Sequence, residues 1–329
     1  MRSTANERIV DFLTRHGTLV MFILLLCIFG LNAPAFLGTD SLGNIVKQAS
    51  FIGIAAIGMV FVLLTAGIDL SVGSAMYLGP LIAGFAMRDM GAGVAGGVVT
   101  AILAGMVIGG INAFCIVVLR IIPFIVTLST LFFFRGFGAW VTSSRQFDFP
   151  DEIRAFGLAT VLGIPMPILF FVAVAVLAHI VLSRTTFGRQ IYAFGNDPEA
   201  ARKAGINTRR IQASVYVICS TCASLAGFVL IAQIGRLDAG FGEGREFDVI
   251  AAAVLGGASL FGGIGTMWSA VIGATMIQAV KAGLVFTGIN LYLQPILQGL
   301  IIFVAVFFDS LRELRLAALK KRFIRPLSS

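Results

Sequence analysis

Long apolar stretches recur along the whole chain, and this recurrence restricts the possible folds more than any other feature of the sequence. An α-helix needs about 20 predominantly apolar residues to cross the hydrocarbon core of a bilayer. Stretches of this kind lie near residues 17–38, 49–67, 72–90, 93–119, 121–142, 163–182, 212–235, 264–287 and 290–309. Together with a shorter apolar stretch at 247–260, they predict an all-α polytopic membrane protein with about ten transmembrane helices.

The composition of the chain argues against several other classes of protein. Hydrophobic residues make up 58% of the 329 residues and charged residues 12%, whereas an ordinary soluble domain has about 45–50% apolar and about 25% charged residues. A soluble enzyme and a disordered chain are therefore poor first interpretations. The net charge is +8, but the basic residues lie between and beyond the apolar stretches. They do not form a patch on a soluble surface, so we expect no nucleic acid partner.

The distribution of basic residues predicts the orientation in the membrane. With ten spans and a cytoplasmic N-terminus, the cytoplasmic segments contain 16 Lys and Arg residues and the outer segments contain 6. Cytoplasmic segments are enriched in these residues, so both termini are expected in the cytoplasm. The first apolar stretch follows a basic leader like that of a signal peptide, but its length favours a retained helix. The predicted organisation is a cytoplasmic segment 1–16, a transmembrane domain 17–309 with a cytoplasmic loop 183–211, and a basic cytoplasmic tail 310–329.

The cytoplasmic loop contains the signals of a short helix at 198–204. Its start has a capping carboxylate followed by proline and glutamate, and its end has basic residues followed by glycine. The residues concerned are Asp197, Pro198, Glu199, Ala200, Ala201, Arg202, Lys203 and Gly205. A helix of two turns is not stable by itself in water, so it must be held by the membrane domain or by a partner. A surface helix that only supplies cytoplasmic charge remains the alternative.

Two predicted spans are interrupted by glycines and a carboxylate, near Asp69 and near Asp248. Discontinuous helices in corresponding halves of a membrane protein are typical of a transport pathway and of an inverted repeat. The halves would be 49–142 and 212–309, a division that rests on hydropathy alone. The alternative is that the glycines only allow close helix packing, which is the interpretation we prefer for the pair Gly105 and Gly109.

Charged residues inside predicted spans are costly and so suggest function. Arg135 can face a partner subunit, an aqueous lumen or a buried carboxylate such as Asp69 or Asp248, or it can extend to the interface. For Lys281 we expect extension to the interface. Neutral polar residues can donate to sugar hydroxyls or hold helices together, and for each one the second role is favoured: Asn112, Thr127, Gln233, Gln278 and Gln298.

The sequence contains no motif for chemistry of its own. There is no G-x-x-x-x-G-K-[ST] motif for ATP hydrolysis, and the other common hydrolase motifs are also absent. The four cysteines lie in apolar stretches and there are only two histidines, so we expect neither a metal site nor catalytic residues. Any active transport must use an ion gradient or the energy supplied by another chain.

Several segments, in order along the chain, resemble the membrane permease of bacterial ABC sugar importers of the ribose, galactose, xylose and arabinose type. The resemblance covers about residues 45–309. The segments that carry it are Leu64–Ser74, Gly110–Ala113, Ile122–Leu128, Arg135–Gly136, Thr186–Arg189, Glu199–Ala201 with Gly205–Ile206, and Phe247–Ala251 with the glycine pairs at 256–257 and 262–263.

The resemblance implies a mechanism and a set of partners. Two permease subunits, identical or paralogous, would form a central pathway in the inner membrane, with a fold like that of the vitamin B12 permease. Two ATPase subunits would bind Mg-ATP and receive the helix 198–204 as a coupling helix, and a periplasmic sugar-binding protein would dock outside. The permease itself would bind no cofactor. The implied pathway candidates are Asp69, Ser71, Asn112, Phe124, Thr127, Arg135 and Asp248.

Two rival interpretations come from other classes of membrane protein. An ion-coupled secondary transporter would work without an ATPase, and the hint of an inverted repeat permits it. A membrane anchor or receptor would transport nothing, and the glycine-interrupted spans argue against it.

Overall fold

The computed structural model describes residues 5–293, 295–297, 299–300, 303 and 307, and the described part is predominantly helical. The helices are α1 (Ala5–Asn32), α2 (Thr39–Leu64), α3 (Val72–Met90), α4 (Gly93–Ala113), α5 (Pro123–Thr142), α6 (Asp151–Leu158), α7 (Met166–Arg184), α8 (Thr186–Asn196), α9 (Pro198–Lys203), α10 (Thr208–Ile234), α11 (Arg245–Leu255) and α12 (Met267–Phe286). Two 3₁₀ turns lie at Pro34–Leu37 and Leu291–Leu293, and a π-helical turn, Phe114–Val118, extends α4.

Four two-residue strands complete the described elements. β1 (Phe147–Asp148) pairs antiparallel with β4 (Arg236–Leu237), and β2 (Thr160–Val161) pairs antiparallel with β3 (Ile164–Pro165). The first pair joins the segment after α5 to the segment after α10, and the second closes a small turn before α7.

Within the described residues, six helices are long and apolar enough to cross a membrane: α2, α4 with its π-helical turn, α5, α7, α10 and α12. Helices α1 and α3 coincide with two further predicted stretches, and α11 with the short one. Most of the predicted stretch 290–309 and all of the predicted tail 310–329 lie outside the described residues. The polytopic helical class is therefore confirmed, and the count of ten spans stays a prediction.

The centre of the molecule is formed by α2 and α10. From Ala49 to Leu64 every residue of α2 is buried, because α7, α10, α11 and α12 cover it on all sides. Helix α4 approaches α10 closely along its glycines: a Cβ atom at Gly105 would lie 2.6 Å from the Thr221 Cα, and one at Gly109 would lie 2.6 Å from the Val217 Cα. The predicted packing role of these two glycines is confirmed.

Helices α5 and α7 lie at the periphery and expose large apolar side chains. Phe132, Phe133 and Trp140 on α5 are each at least 63% exposed, and Leu177 on α7 is 64% exposed. A surface of this kind is unfavourable in water and suits contact with lipid or with another membrane subunit.

The loop 183–211, predicted to be cytoplasmic, contains two helices, and only the second was predicted from the sequence. Helix α8 starts at a side-chain cap, since the Thr185 Oγ1 accepts a hydrogen bond from the Gly188 amide over 3.1 Å. Its buried residues, Gly188, Ile191 and Phe194, recur at helical spacing and attach it to the rest of the molecule. This loop is therefore an ordered part of the fold.

Candidate functional site

Two glycine-containing connections interrupt the helical core, and they are named here the first joint (residues 65–71, between α2 and α3) and the second joint (residues 256–266, between α11 and α12). In the first joint, Ala66 has a left-handed backbone with φ of +55°. This conformation is rare for a residue with a side chain, and it turns the chain sharply after α2. Both joints coincide with the interruptions predicted from sequence.

The first joint is built around the carboxylate of Asp69, which is fully buried. Its Oδ1 accepts hydrogen bonds from the Ser71 amide over 2.9 Å and from the Ser71 hydroxyl over 2.6 Å. Its Oδ2 is buried and has no hydrogen-bond partner among the described residues. A carboxylate held in this way within an apolar domain is expensive, which is why such groups mark functional sites.

A chain of hydrogen bonds extends from the first joint to α4 and α5. The Asn112 amide nitrogen donates to the Ser71 Oγ over 2.8 Å, and the Thr130 hydroxyl donates to the Asn112 Oδ1 over 2.7 Å. The Thr127 hydroxyl lies 3.4 Å from the Ile68 carbonyl oxygen. Together with Asp69, these side chains form what we call the polar network (Asp69, Ser71, Asn112, Thr127 and Thr130), which connects the first joint with α4 and α5 inside the protein.

The structure thus brings together four of the seven pathway candidates. The sequence analysis missed Thr130, although it lies one helical turn after Thr127 and so shares its face of α5. Phe124 is 51% exposed at the start of the same helix and does not join the polar network. Arg135 and Asp248 lie elsewhere.

Arg135 contacts backbone carbonyls rather than a buried carboxylate. Its NH1 donates to the carbonyl oxygens of Ala239 and Phe241 over 3.1 and 3.2 Å, and its guanidinium lies 5.9 Å from the ring centroid of Tyr77. The pairing with Asp69 or Asp248 that the sequence left open is not the arrangement found. Arg135 instead fastens α5 to the segment that precedes α11.

Asp248 lies in an ionic cluster between α11 and α12. Its Oδ2 is 2.6 Å from the Lys281 Nζ and 3.1 Å from the Arg245 NH1, and its side chain is only 3% exposed. The expectation that Lys281 extends to the interface was wrong, because a buried carboxylate on the neighbouring helix offers the ammonium a closer partner. The only sequence signal was that both charges lie in apolar stretches.

Helix α9 has the ends that the sequence predicted, to within one residue. The Asp197 Oδ1 accepts hydrogen bonds from the amides of Glu199 and Ala200, each over 2.9 Å, and Pro198 occupies the first turn. After the helix, Gly205 has a left-handed backbone with φ of +83°. This glycine ends the helix at no steric cost.

Most of α9 faces outward. Ala201 is 4% exposed and packs against the rest of the chain, so it anchors the helix. Glu199, Ala200, Arg202 and Lys203 are exposed and form a mixed-charge surface. The Arg202 guanidinium lies 3.8 Å from the Glu199 carboxylate, with both side chains 69% exposed. A short capped helix anchored on one side can present a rigid surface to another protein.

Metal binding has no support in the described part of the chain. No group of three or more His, Cys, Asp or Glu side chains is arranged there to hold an ion. The chemistry available in these sites is hydrogen bonding and ion pairing.

Comparison with known proteins gives similarities along nearly the whole chain. A protein family described as "Branched-chain amino acid transport system / permease component" matches residues 41–306. The ribose import permease protein RbsC of Haemophilus influenzae is 34% identical over 312 residues, which cover 93% of this chain and 96% of the relative. No solved structure matches the chain.

Two relatives from Escherichia coli K12 are similarly close. The D-allose transport system permease protein AlsC is 33% identical over 320 residues, covering 94% of this chain and 97% of the relative. The probable ABC transporter permease protein YphD is 31% identical over 317 residues, covering 94% and 95%. The family match, over residues 41–306, spans both joints, the polar network and α9.

Proposed function

The chain belongs to the family of branched-chain amino acid transport system permease components, and from this membership we propose that it is the permease subunit of an ATP-driven importer of a monosaccharide or a related small carbohydrate. The observation that carries the proposal is the near-full-length similarity to import permeases for ribose and allose. This chain has no nucleotide-binding motif, so a partner ATPase supplies the energy by hydrolysing Mg-ATP.

The proposed assembly contains two permease subunits in the bacterial inner membrane, two ATPase subunits in the cytoplasm and a sugar-binding protein in the periplasm. Each permease has about ten spans, both termini in the cytoplasm, and a fold like that of the vitamin B12 permease with two inverted halves. The six apolar helices and the two joints support this architecture. The exposed apolar face of α5 is available for lipid or for the second permease.

In the proposed pathway, the polar network provides hydroxyl, amide and carboxylate groups at a break in the helical core. Such groups can exchange hydrogen bonds with sugar hydroxyls when the break opens. Support comes from the burial of Asp69, Ser71 and Asn112 within an otherwise apolar domain. In this proposal Arg135 and Asp248 hold neighbouring segments of the pathway together. Phe124 contributes an exposed ring at the start of α5.

Helix α9 is the proposed coupling helix. Its capped ends, its outward mixed charges and its anchor at Ala201 support docking in a groove of the ATPase. Closure of the ATPase pair on binding ATP then moves α9, and the movement passes to the membrane helices.

The test is reconstitution of the complete importer. The chain is tagged, extracted in mild detergent, purified with its co-purifying subunits and placed in proteoliposomes with labelled ribose or allose and the binding protein. We expect a stoichiometric ATPase and uptake that requires ATP and survives a protonophore. Uptake by the chain alone, without ATP and abolished by the protonophore, would show an ion-coupled secondary transporter instead.

A further inference from the structure

The last turn of α8 lies against both joints at once. A Cβ atom at Gly195 would collide with the Leu64 carbonyl oxygen at the end of α2, and it would lie 2.6 Å from the Gly263 nitrogen in the second joint. Only a residue without a side chain can occupy this position without moving one of the two. Gly195 is therefore the point at which α8 meets the ends of both interrupted helix pairs.

The two joints are also bonded directly to each other beside Gly195. The Gly263 amide donates to the Leu64 carbonyl oxygen over 3.0 Å. This carbonyl belongs to the last turn of α2 and so needs a partner from outside the helix. Gly262 and Gly263 have left-handed backbones, with φ of +89° and +72°. This conformation lets the backbone of the second joint approach the backbone of the first joint closely.

A third contact fixes α8 to the far side of the second joint. The Tyr192 hydroxyl, one turn before Gly195, donates to the Gly265 carbonyl oxygen over 2.7 Å. A Cβ atom at Gly263 would lie 2.9 Å from the Asn196 Oδ1, so the end of α8 follows the second joint closely. Three residues at the C-terminal end of α8 thus contact the second joint: Tyr192, Gly195 and Asn196.

The same end of α8 leads to the proposed coupling helix through one residue. α8 ends at Asn196 and α9 begins at Pro198, so only Asp197 separates them, and its side chain caps α9. Because no flexible linker separates the two helices, a displacement of α9 also moves the end of α8.

We propose that the last turn of α8, residues 192–196, acts as a lever that moves both joints together when α9 moves, with Gly195 and Tyr192 as its positioning residues. The inference rests on the proposed function for the role of α9. The contact at Gly195 would then pass one movement of α9 to the α2–α3 connection and to the α11–α12 connection at the same time. The polar network of the first joint is then opened from the same point as the second joint.

Two variants test the lever, each with a matched control. Gly195→Ala adds the Cβ that both joints exclude, and Gly43→Ala is its control because a Cβ at Gly43 meets nothing within 4 Å. Tyr192→Phe removes only the hydroxyl that bonds Gly265, and Tyr292→Phe is its control because Tyr292 is 88% exposed. If Gly195→Ala fails to fold, Tyr192→Phe still tests the proposal.

The first readout does not depend on transport. Amide hydrogen exchange of the detergent-solubilised full chain is measured over residues 62–71 and 256–266. We expect exchange to accelerate in both segments together in each test variant, by about fivefold in Tyr192→Phe, the factor that corresponds to one net hydrogen bond. Acceleration in the second joint alone would overturn the lever, because the joints would then move separately.

The second readout is the number of sugar molecules imported per ATP hydrolysed by the reconstituted complex. We expect both test variants to bind the ATPase and hydrolyse ATP at the unaltered rate while uptake per ATP falls at least about fivefold. Unchanged uptake per ATP, or a parallel loss of uptake and ATPase binding, would overturn the proposal. If the wild-type complex imports no sugar with ATP, the proposed function is refuted instead. The hydrogen-exchange measurement then still shows whether the two joints move together.

Discussion

The Lys281 Nζ on α12 lies 2.6 Å from the Asp248 Oδ2 on α11, so an ion pair joins the two helices. The Asp248 side chain is 3% exposed and that of Lys281 is 25% exposed. Arg245 reaches the same carboxylate oxygen from one turn earlier on α11. The carboxylate therefore attaches α12 to the short helix that enters the second joint.

Asp248→Asn is expected to destabilise the protein more than Lys281→Met. Asp248→Asn leaves the cations Lys281 and Arg245 without their counter-charge, whereas Lys281→Met leaves Asp248 paired with Arg245. Removing one partner of a buried pair costs about 3–5 kcal/mol, and the partial exposure of Lys281 lowers our expectation to about 2 kcal/mol for Asp248→Asn. Thermal unfolding in detergent measures the effect. The double variant should lose less than the sum of the two singles, and strict additivity would contradict a direct interaction.

Thr130→Val is expected to destabilise the protein by about 1–2 kcal/mol, because the variant leaves the buried Asn112 Oδ1 without its donor. The neighbouring Ser129→Ala is the control, since the Ser129 hydroxyl bonds only its own helix, at the Ile125 carbonyl. Its change should stay within about 0.5 kcal/mol. Unfolding midpoints of both variants are compared, and equal effects would mean that Thr130 contributes no more than a surface hydroxyl.

Asp69→Asn is expected to keep the fold and reduce sugar uptake severely. Asparagine has the same shape and can still accept the two hydrogen bonds from Ser71, but it lacks the charge and the buried Oδ2 acceptor. Uptake in proteoliposomes is measured at matched protein levels, with Asp148→Asn, at an exposed position of β1, as the control. If both variants import sugar at the wild-type rate, the charge of Asp69 has no part in transport.

Asp197→Ala is expected to weaken coupling. The variant removes the acceptor of two amide hydrogen bonds at the start of α9, and loss of an N-cap costs about 1 kcal/mol of helix stability. We expect less ATPase to co-purify and uptake to fall. Asp197→Ser retains a capping oxygen and should restore most of both activities. Failure of serine to restore them, with α9 intact, would assign the aspartate a role other than capping.

Glu199→Ala and Arg202→Ala are expected to leave the stability of the isolated chain unchanged within about 0.5 kcal/mol. Both side chains are 69% exposed and lie 3.8 Å apart, and such surface pairs contribute little. Their effect should appear in binding of the ATPase, as a several-fold loss of affinity that shrinks with added salt. Calorimetry of the chain and binding at two salt concentrations separate the two effects, and loss of chain stability would contradict an interface role.

The features that depend on neighbours in sequence were predicted well. The ends of α9 follow from Asp197, Pro198 and Gly205, which lie within nine residues of each other and act through local backbone geometry. The two interruptions follow from glycines in apolar stretches, with Asp69 as a further signal in the first, whereas Asp248 lies inside the continuous helix α11. Helix α8 was missed although the sequence carries its signals, since Thr185 can cap its start and the apolar residues Ile191 and Phe194 lie at helical spacing.

The sequence by itself determined that the chain is a helical membrane protein with two interruptions in its apolar stretches and a short capped helix after Asp197, because hydropathy and capping act over a few helical turns. Only the tertiary structure decided that Lys281 bonds Asp248, that Thr130 bonds Asn112, and that Gly195 meets both joints. Pairings of this kind join residues on different helices, and their formation depends on how the helices pack. The relative rotation and depth of packed helices set which side chains meet, and no local pattern of residues encodes these two quantities.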